Sequence, residues 1–222
     1  MNELLITEIF YSLQGESSLI GVPFVFIRLT GCNLRCTYCD SAYSFHGGKK
    51  MKLTEILTEV QKYKTHHVLV TGGEPLLQRN AIALIDLLNE AGYSVSVETH
   101  GEVSIEEASK RARVIMDIKT PGSGMSRGGY VDNYKFLKKS DEVKFVITSL
   151  EDYSWASQII QSGIIPTQEI LLSPAMAAQN SPGTYEGIEP RTLADLIVRD
   201  QLPVRFQWQL HKLLWGADTK GV

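Results

Sequence analysis

Gly31-Cys32-Asn33-Leu34-Arg35-Cys36-Thr37-Tyr38-Cys39-Asp40 holds every cysteine of the chain, three within eight residues. A disulfide framework wants an even number of cysteines spread along the chain, whereas three crowded thiolates leave the fourth position of an iron-sulfur cluster open. An open iron can bind a substrate or cosubstrate. The bland alternatives are a zinc knuckle completed by His46, or three inert core cysteines. Structural cysteines scatter along elements and zinc ligands come as two-residue pairs, so the crowding favours the cluster.

A second informative stretch follows about 30 residues later. His67-Val68-Leu69-Val70-Thr71-Gly72-Gly73-Glu74-Pro75 reads as a buried strand running into a glycine turn, then a helix with proline at its first position. Two adjacent glycines let backbone approach a ligand closely. Around both stretches apolar runs alternate with helical patterns. Strands are expected at 24–29, 67–71, 93–98, 113–118, 143–148, 168–172 and, last, 204–210. Leu53, Ile56, Leu57 and Val60 mark one helix face, and Leu77, Ala81, Leu84, Ile85 and Leu88 another that stops at Gly92. Repeated βα units favour a parallel sheet, and 222 residues is short for a full eightfold barrel. The expected fold is therefore α/β, an incomplete TIM-type barrel, as one domain over 1–222. Its chemistry would sit at the C-terminal ends of the strands, where the cysteine loop, Thr71 to Glu74 and Glu98-Thr99-His100-Gly101 all fall.

With 43% hydrophobic and 21% charged residues the chain can bury a substantial core, and no apolar run approaches the roughly 20 residues of a membrane span. Met1-Asn2-Glu3-Leu4-Leu5-Ile6 lacks the basic start and long apolar region of a signal peptide, so a cytoplasmic location is expected. A net charge of -3 implies no affinity for nucleic acid, and Lys49, Lys50 and Lys52 read as a solvated loop face. His66 and His67 read as surface or packing residues. Arg28 is less ordinary. A guanidinium in an apolar strand is costly unless it meets an anion, either a ligand carboxylate or a structural partner such as Glu8 or Glu16.

The C-x3-C-x2-C spacing with an aromatic residue before the last cysteine, together with Thr71-Gly72-Gly73-Glu74-Pro75, resembles the radical S-adenosylmethionine superfamily. Ser12-Leu13-Gln14-Gly15-Glu16, then Arg28-Leu29-Thr30-Gly31-Cys32-Asn33-Leu34, then Tyr38-Cys39-Asp40-Ser41 narrow the likeness. With Val97 to Gly101 and Gln209 to Gly216, the chain is similar over most of its length to the 7-carboxy-7-deazaguanine synthases of 7-deazapurine and queuosine biosynthesis.

The resemblance implies a small homodimer with an incomplete barrel that converts 6-carboxy-5,6,7,8-tetrahydropterin into 7-carboxy-7-deazaguanine with loss of ammonia. It implies a 4Fe-4S cluster on Cys32, Cys36 and Cys39, S-adenosylmethionine as cofactor, magnesium on Ser41, and an electron donor such as flavodoxin. Leu13, Gln14, Gly15, Arg28 and Thr71 match substrate-holding positions, with Arg28 toward the pterin carboxylate. Tyr38, Cys39, Asp40, Gly73 and Glu74 match contacts to S-adenosylmethionine, and Lys119 lies in the segment that loosely matches a later contact loop. Glu98 and His211 match catalytic positions near the substrate. One departure is Ser17, where the family often has glycine. Two other readings stand beside this one: an activase that makes a glycyl radical on a partner protein, and a non-catalytic metal-binding regulator.

Overall fold

The computed structural model describes residues 2–176 and 187–222. Continuous apolar runs are what a parallel strand buried on both faces requires. Accordingly β2 (Pro23–Leu29), β4 (His67–Gly72), β5 (Ser94–Thr99), β6 (Arg113–Ile118), β7 (Glu142–Ile147) and β8 (Glu169–Pro174) pair in parallel, each with the next. The short β9 (Arg205–Phe206) continues the sheet beside β8. On the other edge β1 (Glu3–Leu13) runs antiparallel to both β2 and β3 (Lys49–Lys52). The order is β3-β1-β2-β4-β5-β6-β7-β8-β9, and β3 and β9 do not pair, so the barrel is open.

The two faces of each strand have different fates. Val25, Ile27, Leu29, Val68, Val70, Val95 and Val97 form one core with the apolar sides of α1 (Leu53–Val60) and α2 (Ala81–Glu90). Val114, Met116, Val143, Phe145, Ile147 and Leu172 form a second, joined by α4 (Leu150–Gln161) and α5 (Pro190–Arg199), with the one-turn α3 (Glu106–Ser109) between the two groups of helices. Burying each such side chain is worth about 1.5–3 kcal/mol, so the helix-facing side carries most of the stability. On the inner side Phe24, Phe26, Leu69 and Ile115 close one end. Toward the C-terminal ends the same side turns polar, with Arg28, Thr71, Glu98, Asp117 and Lys144 supplied by successive parallel strands. Arg28 registers with Thr71 and Asp117 with Lys144.

Several sequence expectations change. β1 is a strand that the sequence reading omits, because a register shift between Ile6 and Glu8 breaks its alternation. That bulge puts Leu4 and Ile6 in the helix-facing core yet sets Glu8 opposite Arg28. Pro75 opens a single 3-10 turn, Pro75–Leu77, and the α-helix begins only at Ala81, leaving Leu77 exposed. Lys49, Lys50 and Lys52 lie on the edge strand β3 rather than in a loop, where exposed charge discourages pairing with another sheet. The strand expected at 204–210 shrinks to β9, because the chain then turns away to bond the loop after β1. Gln207 donates to the Ser17 carbonyl at 2.9 Å and the Leu210 amide to the Gly15 carbonyl at 2.9 Å. A short helix, α6 (Leu210–Trp215), follows. Among the described residues no helix is long and apolar enough to cross a membrane.

Candidate active site

A cavity of about 390 Å³ opens at the C-terminal ends of the parallel strands, a size suited to small molecules. The loop after β2 brings the three cysteines to it, Cys36 buried and Cys32 and Cys39 half-buried, all with free thiols. The loop is held from three sides. Thr37 bonds the turn at Gly122 and Ser123, the Gly31 amide donates to Ser44 at 2.9 Å, and the Glu74 amide donates to the Gly31 carbonyl at 2.9 Å. His100 supplies a further tie: its Nδ1 accepts from the Glu102 amide, so Nε2 carries the proton and donates to Asn33 at 2.8 Å. Burial, helped by the charge of Lys119, pushes His100 down to about 4, which fits this neutral form.

Burial raises all three thiols, Cys36 to about 11, with nearby acids adding to the rise. Thiolates here need a positive group to balance them, and bound iron provides one. Among the described residues no three His, Cys, Asp or Glu stand together closely enough to hold one metal ion. Three cysteines with His46 exposed lack the fourth protein ligand of a zinc knuckle, whereas three are what a cluster with one open iron takes. His46 is exposed and plays no part in the cavity lining.

The glycine turn is placed by contact rather than by flexibility alone. A Cβ on Gly73 would stand 2.4 Å from the Gly31 carbonyl oxygen and 2.6 Å from Cys32 Cβ, so β4 and the cysteine loop meet backbone to backbone. Glu74 is the one predicted site residue that does not line the cavity. Its fully buried carboxylate is occupied by Thr99 and by the amides of Leu76 and His100, and burial pushes it up to about 7. Leu13, Gln14, Gly15, Arg28, Tyr38, Asp40, Ser41, Thr71, Glu98, Lys119 and His211 all line the same space. Gly15 packs so closely on His211 that a Cβ would lie 2.1 Å from Nδ1. His66 is exposed, and His67 stacks on Phe24 with ring centroids 4.9 Å apart.

Arg28 meets its structural partner and also reaches the cavity wall. Its Nε bonds Glu8 at 2.7 Å, while the side chain stays 18% exposed at the cavity wall. Ser41 lies 3.8 Å from Cys39 through its hydroxyl and faces the cavity, a hard oxygen of the kind magnesium favours. Ser17 adopts φ +68, the left-handed region that favours glycine, so the resemblance's departure at this position falls where a side chain is strained.

Lys144, Asp117 and Lys212 line the cavity although the sequence reading gives them no role, and Glu16, expected there only as a possible partner of Arg28, lines it too. Lys144 bonds Glu16 at 2.5 Å and Glu98 at 2.6 Å, and Gln209 joins Glu16 at 2.8 Å. Lys212 bonds Gln209 at 2.8 Å and Asp40 at 2.8 Å. Burial works against ionising Glu16, but Lys144 and His211 outweigh it and hold the carboxyl down to about 2. Lys212 likewise keeps Asp40 below the ordinary carboxylate range against the effect of burial. The signal for Lys144 was available: it interrupts Val143-Lys144-Phe145 as Arg28 interrupts its own strand.

Comparison with known proteins agrees with this geometry. The Radical SAM superfamily model matches residues 26–149. The 7-carboxy-7-deazaguanine synthase of Koribacter versatilis is 41% identical, covering 98% of this chain and 99% of its own length. That of Chlorobaculum tepidum is 40% identical over 98% of this chain and 96% of its own. The crystal structure of QueE from Escherichia coli shares the fold, with a TM-score of 0.70 at 22% identity over 92% of this chain and 94% of that one. Likeness along the entire length, joined to three cysteines and a glycine turn around one cavity, places the chain in the 7-carboxy-7-deazaguanine synthase family of radical SAM enzymes.

Proposed function

We propose that this chain, acting as one domain, is a 7-carboxy-7-deazaguanine synthase, a radical SAM lyase that contracts the ring of 6-carboxy-5,6,7,8-tetrahydropterin with loss of ammonia. The observation that carries the reading is one small cavity in which three free thiols face a basic and acidic belt of strand-end side chains. A 4Fe-4S cluster and S-adenosylmethionine, when bound, supply one-electron radical chemistry that no side chain can provide. Cys32, Cys36 and Cys39 would hold the cluster. Gly73, through its backbone, and Tyr38, Asp40 and Lys119 would hold S-adenosylmethionine, with Glu74 shaping that turn from behind. Arg28 would take the pterin carboxylate, Thr71 and the 13–15 loop would orient the ring, and Glu98 and His211 would face the reacting edge.

A glycyl-radical activase must admit a polypeptide loop, and here residues 217–222 also line the cavity, leaving room for a small molecule. A metal-binding regulator would need no such cavity. A homodimer, a flavodoxin-like electron donor and a cytoplasmic location complete the proposal. Anaerobic incubation with reductant, S-adenosylmethionine and 6-carboxytetrahydropterin should yield 7-carboxy-7-deazaguanine by mass analysis. Cleavage of S-adenosylmethionine without that product would overturn the substrate assignment.

Two residue roles are open to direct test. Arg28→Lys keeps a charge for Glu8 but loses the planar fork, so the pterin Kd should rise about tenfold or more, each tenfold being 1.4 kcal/mol. Iron content and affinity for S-adenosylmethionine should stay as in wild type. Unchanged pterin affinity would leave Arg28 with its Glu8 pairing alone. For Ser41, turnover is measured against magnesium concentration in wild type, Ser41→Ala and Ser41→Cys. Both variants should lose magnesium stimulation, with manganese or cobalt partly restoring Ser41→Cys, since a thiol disfavours the hard ion. Three identical curves would end the magnesium role.

A further inference from the structure

Lys144 lies at the centre of the cavity floor, 4% exposed in its side chain. Its ammonium meets Glu16 at 2.5 Å, Glu98 at 2.6 Å and Asp117 at 3.3 Å, from the loop after β1, from β5 and from β6. An ammonium has three N–H donors, and three carboxylates surround this one. Lys144 bonds Glu16 and Glu98 and faces Asp117 as an ion pair, so its charge is committed to its neighbours. Each carboxylate, however, keeps a second oxygen. Glu16 gives its own to Gln209, whereas Glu98 Oε2 has only a long 3.5 Å contact with Thr71. Asp117 Oδ1 is buried with no partner among the described residues.

Charge points the same way. Lys144 and Lys119, which bonds Asp117 at 2.9 Å, face three carboxylates, so the belt carries an excess of acceptors. An acceptor with so little satisfaction is costly unless a ligand supplies a donor. A reduced aminopterin has several N–H groups along its ring edges. We propose that Lys144 is a positioning residue that fixes the Glu98 carboxylate, so that its free oxygen accepts an N–H donor of the pterin. Without it, two or three acids at close quarters would repel one another and turn apart.

The inference rests on the pterin reading of the cavity, and the test separates the two. Reconstituted holoenzyme is titrated with pterin in the presence of S-adenosylmethionine and absence of reductant, for wild type, Lys144→Met, Glu98→Gln and the double variant. Lys144→Met should raise the pterin Kd at least tenfold while leaving iron content and the Kd for S-adenosylmethionine within twofold. The double variant should be no more than about twofold worse than the weaker single one, because both changes act on one element. Fully multiplicative losses, an unchanged pterin Kd, or a parallel loss of S-adenosylmethionine affinity would each overturn the role. If Lys144→Met does not fold, Lys144→Arg takes its place in the cycle. A planar guanidinium cannot bring three acceptors to one nitrogen, so the same pterin-selective loss is expected, and wild-type affinity would overturn the inference. Wild-type holoenzyme that binds no pterin would overturn the underlying reading and this inference with it.

Discussion

Cys32→Ala, Cys36→Ala and Cys39→Ala should each lose most bound iron and all turnover, while the chain remains folded. Each change removes one of three protein ligands, and the sequence has no fourth cysteine to replace it. The fold should survive because the helix-facing cores lie on the opposite side of the strands from the cavity. Iron and sulfide per chain, measured after anaerobic reconstitution beside a far-ultraviolet circular dichroism spectrum, test both halves of this expectation. Full iron with full turnover in any one variant would dismiss the cluster. A zinc site would instead show zinc in the purified wild type and no sulfide.

Gly73→Ala should be nearly as damaging, for a different reason. The added methyl would sit 2.4 Å from the Gly31 carbonyl oxygen and 2.6 Å from Cys32 Cβ, and the first of these is backbone that cannot rotate aside. Relief requires the turn after β4 to withdraw from the cysteine loop, straining the bond from the Glu74 amide to Gly31 at 2.9 Å. Overpacking of this kind costs about 1–3 kcal/mol. A chain of this length should then melt lower by about 2–4 °C for each kcal/mol. The functional loss should be larger than the stability loss, because the cysteine loop and the turn proposed to hold S-adenosylmethionine shift against each other. Melting temperature, iron content and S-adenosylmethionine affinity are the readouts. Wild-type values for all three would mean that the loop yields freely.

Much of this protein is legible in its sequence. Cysteine spacing, the double glycine and the apolar strand runs depend on local chemistry, and local chemistry is written residue by residue. The parallel strands from β2 to β8 accordingly lie within a residue or two of their expected places. Arg28 announces itself because a charge in an apolar run is visible without coordinates. Elements whose signal is not local were missed. β1 hides behind a bulge that switches its buried face, and the stretch near 204–210 trades strand pairing for bonds to residues nearly two hundred positions away.

The pairing of charges is the clearest case of what sequence leaves undecided. Nothing in the sequence says whether Arg28 meets Glu8, Glu16 or a ligand; the register of β1 against β2 puts Glu8 opposite it and leaves Glu16 to Lys144. Nor does sequence disclose that Glu74, inside the recognisable glycine motif, turns its carboxylate away from the cavity to bind Thr99 and His100. Apolar runs and cysteine spacing thus determined which parallel strands form and that three thiols gather at their ends. Only the tertiary structure decided which acid each buried cation faces. Side-chain ion pairs act over a few ångströms between segments far apart in the chain, so their partners exist only once the sheet has assembled.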